Sequence, residues 1–173
     1  MSTTTHGDIE EVVRMVAAAD GELVGRTRLQ KTAFLLELAG LGSGYRFSYK
    51  HYGPFSEELA SAVDVAPLLF DFEETQKRSG WGGTYSVFSS HAQYEGDGDD
   101  PYRMLVSVAK SANPIALELA ATAAYLASVG EADPWGETER RKPEKTTDGR
   151  LDLAKTLYGR FKSLPLPESL PDI

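Results

Sequence analysis

The sequence predicts a mainly α protein with one β-hairpin, organised as a single compact domain over 1–173: a winged-helix-like part over 1–90, a helical part over 101–162 packed on it, and a tail over 163–173. Three observations lead there. Apolar residues recur at helical spacing in stretch after stretch, capping residues and glycines punctuate those stretches, and two alternating segments flank a glycine-rich turn at Ser79-Gly80-Trp81-Gly82-Gly83.

The elements follow in order. Ile9, Val12, Val13, Val16 and Ala17 share one helical face behind Asp8, a candidate cap, and Asp20-Gly21 ends that helix. Thr27 and Gln30 stand three apart before an apolar run, as in a capping box, and predict a second helix through Leu29, Ala33, Leu36 and Ala39 to Gly40. Glu37 is the only charge between Ala33 and Ala39, so this helix is expected to be buried, with Arg26, Arg28 and Lys31 gathered at its start. Cations there oppose the helix dipole and need a reason. Pairing with carboxylates such as Glu22 or Glu37 is one; an anionic ligand or partner is the other.

Tyr45 to Lys50 alternates aromatic and polar residues, which predicts a short strand with Tyr45, Phe47 and Tyr49 on one face. In His51-Tyr52-Gly53-Pro54-Phe55, Pro54 holds Gly53 out of the helical region. Ser56 then caps a third helix, whose first turn places Glu57 and Glu58 where the dipole favours acid. It runs through Leu59, Ala62 and Val63 toward Pro67, which ends it or begins a further turn. Phe70 to Thr75 and Thr84 to Phe88 alternate and form the expected hairpin, with Trp81 at its tip either exposed to a partner or folded back as an anchor. His91 to Asp100 reads as an exposed loop.

Asp100-Pro101 and Asn113-Pro114 each carry the grammar of a helix start. The second of these helices has Glu118 as its only charge from Ile115 to Val129, which makes it the expected central core helix, stopped by Gly130. Glu131 to Gly149 is charged and punctuated by Pro134 and Pro143; Leu151, Ala154, Leu157, Tyr158 and Phe161 mark a last helix, and the proline-rich end is a tail or a surface strap.

At 173 residues with 41% hydrophobic and 25% charged side chains, the chain is long enough to bury a core without staples. With no cysteine, disulfides, thiol catalysis and cysteine-ligated zinc are excluded, and a reducing, cytoplasmic compartment is the expected one. Met1 to Asp8 lacks a secretory signature and no apolar run approaches the roughly 20 residues needed to span a bilayer, so no membrane association is expected. The net charge of −8 lies almost wholly in the first hundred residues, which gives the long-range field the wrong sign for nonspecific nucleic-acid binding.

Catalytic signatures do not appear. His6, His51 and His91 lack metal-ligand spacing, no nucleophile elbow or phosphate-cradling glycine loop follows a strand, and Asp97-Gly98-Asp99-Asp100 lacks the frame of a calcium loop. No catalytic residue, metal ligand or cofactor is therefore assigned.

Gly25-Arg26-Thr27-Arg28-Leu29-Gln30-Lys31, followed by a helix and then Tyr52-Gly53-Pro54-Phe55-Ser56-Glu57-Glu58-Leu59, resembles the YwgA-like family of uncharacterised prokaryotic proteins. Glu118 to Leu126 and Arg141-Lys142-Pro143 are similar to its later segments. The same ordered pair more distantly resembles the Panacea domain of SocA-type antitoxins, which bind and neutralise a toxin protein or adapt it for proteolysis. The resemblance implies a helical domain of winged-helix character with no enzymatic label.

These readings converge on a non-enzymatic protein-interaction or regulatory module, antitoxin-like, that meets an unidentified protein partner through Arg26, Arg28, Lys31, His51, Tyr52, Phe55 and Trp81. The alternative is a winged-helix DNA-binding transcription regulator with Ser56 to Ala66 as recognition helix and Lys77-Arg78 in the wing, although that helix carries Glu57, Glu58 and Asp64 and no base. A third reading, an enzyme for a small anion, needs Arg26, Arg28, Lys31 and His51 to converge in one pocket.

Overall fold

The computed structural model describes residues 6–173. Helix α1 (His6–Ala18) leads through a left-handed pair at Asp20 and Gly21 into strand β1 (Glu22–Val24), a three-residue strand too short to show in the sequence pattern. Helix α2 (Arg26–Leu38), a small hairpin of β2 (Ser48–Lys50) and β3 (Gly53–Phe55), and helix α3 (Glu57–Leu69) follow. The longer hairpin is β4 (Glu73–Arg78) and β5 (Thr84–Ser89). β5 lies between β1 and β4 in an antiparallel sheet, with Leu23 opposite Phe88 and Lys77 opposite Tyr85.

The second half is α4 (Pro101–Ser111), α5 (Pro114–Ser128), α6 (Pro134–Arg141), a 3₁₀ turn at Pro143–Lys145, and α7 (Arg150–Lys162). Mainly helical structure with an antiparallel hairpin is thus what the chain adopts. One hydrophobic cluster joins both halves, with Val12, Leu35 and Leu59 packed into the same core as Leu105, Leu119 and Phe161. α5 is at its centre, buried over nearly its whole length and packed against α2, β3, α6 and α7. Among the described residues no helix is long and apolar enough to cross a membrane.

Several local expectations change. Asp8 lies in the first turn of α1 rather than ahead of it. The Thr27–Gln30 capping box does not form: Gly25, at φ 99°, is the residue ahead of α2, no side chain caps it, and Gln30 turns inward instead. Of the strand expected over Tyr45–Lys50 only Ser48–Lys50 pairs, although the alternation persists in burial, with Tyr45 buried and donating its hydroxyl to the Asp8 carbonyl. α3 continues through Pro67 to Leu69. The segment from Glu131 to Gly149 holds α6 and the 3₁₀ turn, where the Asp133 carboxylate caps the Gly136 amide. Residues 163–173 form a strap: Glu168 N–H donates to the Ala39 carbonyl at 3.0 Å, Leu170 is buried, and the Tyr158 hydroxyl donates to the Pro171 carbonyl.

Three starts behave as the sequence predicts. Ser56 Oγ accepts from Leu59 N–H at 3.2 Å, and the side chains of Asp100 and Asn113 cap α4 and α5.

Candidate functional site

One backbone turn and two helices build the site. α2 presents Arg26, Gln30 and Lys31, the β2–β3 turn presents Tyr52 and Phe55, and α3 presents Ala60 and Val63 to the same cavity of about 110 Å³. Leu29, Thr27 and Phe88 complete its wall, so most of the lining is apolar. The turn is held from beneath. Gly53 has φ 92°, and a Cβ there would stand 2.5 Å from Thr122 Oγ1 of α5, so only glycine lets the turn approach α5 this closely.

Two lysines fasten that turn. Lys31 Nζ donates to the Pro54 carbonyl at 2.8 Å, and Lys142 Nζ donates to the His51 carbonyl at 2.7 Å. Lys142 also lies 3.5 Å from Glu118 Oε1, while Lys145 Nζ reaches both Glu118 oxygens, at 2.9 and 2.7 Å. Glu118, the lone charge of the central helix, is thus buried against two lysines from the segment after α6. Three ammonium groups therefore surround one carboxylate. Desolvation, reinforced by repulsion from Lys142 and Lys145, pushes Lys31 down to about 7 despite the opposing pull of Glu118. Burial likewise holds Lys142 below the ordinary lysine value.

The other cations at the start of α2 are engaged as well, but not with Glu22 or Glu37. Arg26 donates to both oxygens of Glu74 at 2.6 Å and to Asp64 at 3.1 Å, which holds the guanidinium firmly charged and the Glu74 carboxyl below its usual range. Arg28 donates to the Val24 carbonyl at 2.9 Å and to the carbonyls of Ala109 and Ala112, both at 2.7 Å, and so closes the C-terminal end of α4.

The structure gathers Arg26, Lys31, Tyr52 and Phe55 around one cavity and leaves three residues outside it. Arg28 borders a neighbouring depression with Val24, Thr84 and Tyr85, one that Arg26 and Thr27 share with the cavity. His51 lends its carbonyl to Lys142 while its residue stays exposed, so the four cationic candidates do not meet in one pocket. Trp81 stands at the hairpin tip with 84% of its surface exposed. Lys31 is 1% exposed, which makes it a wall of the cavity rather than part of an outer contact surface. Among the described residues no group of His, Asp or Glu could hold a metal ion.

Lys142, Lys145 and Glu118 were not among the expected site residues. The signal was the single carboxylate in an otherwise apolar helix, which demands a buried cation, but its partners lay in a stretch that reads as loop. Compared with known proteins, the chain matches no family model, no curated protein and no solved structure. Gln30-Lys31, Tyr52-Gly53-Pro54, Glu118 and Lys142, far apart in sequence, all belong to this one assembly.

Proposed function

We propose that this chain is a non-enzymatic cytoplasmic protein-interaction or regulatory module, antitoxin-like in the sense of the resemblance, whose N-terminal part is winged-helix-like. The order helix, strand, helix, helix, strand, strand over 6–89, with β5 between β1 and β4, supports the winged-helix reading. The small β2–β3 hairpin is an insertion before α3.

One observation carries the protein-binding reading. Around Arg26 the surface exposes Tyr52, Val24 and Tyr85, at 60%, 39% and 38%, while the cations at the start of α2 are spent on internal partners. Such a face offers apolar contact area beside a single exposed lysine, Lys77 opposite Tyr85, which suits a protein surface better than a phosphate backbone. Trp81 at the hairpin tip, and Leu68 and Leu69 at the end of α3, are further exposed apolar side chains. Tryptophan in such a setting is the residue type most often found to dominate an interface.

The DNA-regulator reading draws on the same strand order and on Lys77 and Arg78, both exposed on β4. Its difficulty is α3, where Glu57 and Asp64 are exposed and no base is present. Anisotropy titration of a mixed-sequence duplex at low salt separates the two. The interaction-module reading predicts no binding below about 100 μM and no salt slope, whereas micromolar affinity falling steeply with salt would favour the regulator.

A further inference from the structure

The long hairpin leaves one strand open. In the sheet order β1, β5, β4, strand β4 has β5 on one side and, among the described residues, no strand on the other. Ser79 N–H donates to the Gly83 carbonyl at 2.8 Å, which continues the β4–β5 ladder by one hydrogen-bonded pair. Counting back by twos, Lys77, Thr75 and Glu73 bond β5, while the backbone groups of Glu74, Gln76 and Arg78 point outward. Such an edge is a template for another strand. Near its two ends stand the two most exposed large apolar side chains among the described residues: Trp81, 84% exposed, follows β4 on the chain, and Leu68, 81% exposed, precedes it beside the exposed Leu69. Within one chain the ends of this strand are roughly 17 Å apart, too far for these side chains to form one patch.

We propose that β4 pairs with β4 of a second copy of this chain, antiparallel and two-fold symmetric about Thr75. The strand, Glu73-Glu74-Thr75-Gln76-Lys77-Arg78, is acidic at its start and basic at its end, so only the reversed direction sets acid against base. Lysine on an edge ordinarily guards it against pairing. Here the edge carries both signs in an order that matches its own reverse. Residues opposite each other in an antiparallel pair share a face of the sheet, so odd positions must meet odd and even meet even. About Thr75, Glu73 of each copy lies opposite Lys77 of the other on the face that carries Tyr85, and Glu74 and Gln76 exchange their outward backbone hydrogen bonds. Glu73 and Lys77 are exposed and have no ion-pair partner among the described residues. Centred on Gln76 instead, the pairing would set Arg78 against Glu74, a carboxylate already held by Arg26 and Ser86.

The same two-fold operation joins the apolar ends. Because the hairpin tip and the end of α3 lie at opposite ends of β4, reversal brings Trp81 of each copy alongside Leu68 and Leu69 of the other. A pair of short strands alone buries too little surface for a stable dimer, and a tryptophan on leucines at each end adds the apolar contact that strand pairing lacks. An isologous interface of this kind is closed, so assembly stops at two copies. The open backbone, the unpaired charges and the exposed apolar ends thus share one occupant. The proposal goes beyond the partner-binding reading and is tested on the purified chain alone.

The test is sedimentation velocity of the full chain from about 1 μM to about 1 mM. The expected result is a monomer–dimer equilibrium with a Kd at or below about 100 μM. Gln76→Pro removes an outward N–H and spares the ladder to β5, and it should weaken the dimer at least about tenfold. Lys77→Glu and Glu73→Lys each set like charges opposite one another twice and should do the same. An equimolar mixture of those two charge-reversed chains should recover dimer of wild-type affinity, because every acid then meets a lysine, a result that misfolded variants could not give. A wild-type chain that stays monomeric to about 1 mM would overturn the proposal on the unmodified protein. So would a dimer indifferent to Gln76→Pro, or charge-reversed chains that dimerise as well alone as mixed or fail to recombine.

Discussion

Gln30 and Ser56 exchange two hydrogen bonds across the interior: Gln30 Nε2 donates to the Ser56 carbonyl at 3.0 Å, and Ser56 N–H donates to Gln30 Oε1 at 2.8 Å. Both residues are buried, and Ser56 also caps α3. One amide side chain thereby fixes where α3 starts relative to α2, and with it the position of Tyr52 and Phe55 over the cavity. Gln30→Leu removes both bonds and strands two buried backbone groups, for an expected cost of about 2–4 kcal/mol in urea unfolding. A cost under about 0.5 kcal/mol would mean that another group takes over the backbone of Ser56.

Lys31 should leave its mark on stability as pH rises. Its ordinary value of 10.5 drops to about 7 on folding, so between those values the unfolded chain binds more protons and stability increases with pH. Chemical unfolding at pH 7 and pH 9 should show a gain of order 2 kcal/mol from this group, and Lys31→Met should remove most of that rise. Lys142, whose shift has the same sign, adds to the residual slope.

Glu11 acts with the opposite slope. Burial raises it from 4.5 to about 7, against the Tyr102 hydroxyl that donates to it at 2.9 Å and the nearby Arg14. Between those values the folded chain binds more protons, so its contribution is present at low pH and is lost as pH rises through 7. Glu11→Gln keeps an acceptor for Tyr102 and should flatten the stability profile between pH 5 and pH 7, by of order 2–3 kcal/mol over the range.

Gly53→Ala tests the close approach of the β2–β3 turn to α5. The new methyl would meet Thr122 Oγ1 and the backbone would be held at an unfavourable φ, at an expected cost of about 2–4 kcal/mol. Adding Thr122→Ala should recover the collision but not the backbone strain, and equal costs for the single and double variants would show that the collision contributes nothing.

Helix content was legible because it is written locally. Ser56, Asp100 and Asn113 name their helix starts by side-chain chemistry alone, and the unbroken apolarity around Glu118 placed α5 at the centre. The hairpin was legible from alternation and glycines. Three-residue β1 was not, since its pairing with β5 depends on a partner more than sixty residues away. Thr27–Gln30 misled for a similar reason: the amide that fits a capping box locally finds a better use on Ser56. At the site, Arg26, Lys31, Tyr52 and Phe55 line one cavity, but the sequence could not show that Glu74, Asp64 and three carbonyls already hold the arginines. Lys142 and Lys145 escaped notice because a charged stretch between prolines reads as solvated loop until Glu118 is seen to need it.

The most direct test of the interaction reading is a nuclease-treated pull-down from native lysate with tagged wild-type chain beside Trp81→Ala and a Tyr52→Ala/Tyr85→Ala double variant, each first shown to be folded by circular dichroism. The account predicts a stoichiometric protein partner that survives nuclease and is lost when these exposed aromatics are removed. Recovery of nucleic acid alone from the untreated sample, unaffected by the aromatic substitutions, would contradict it.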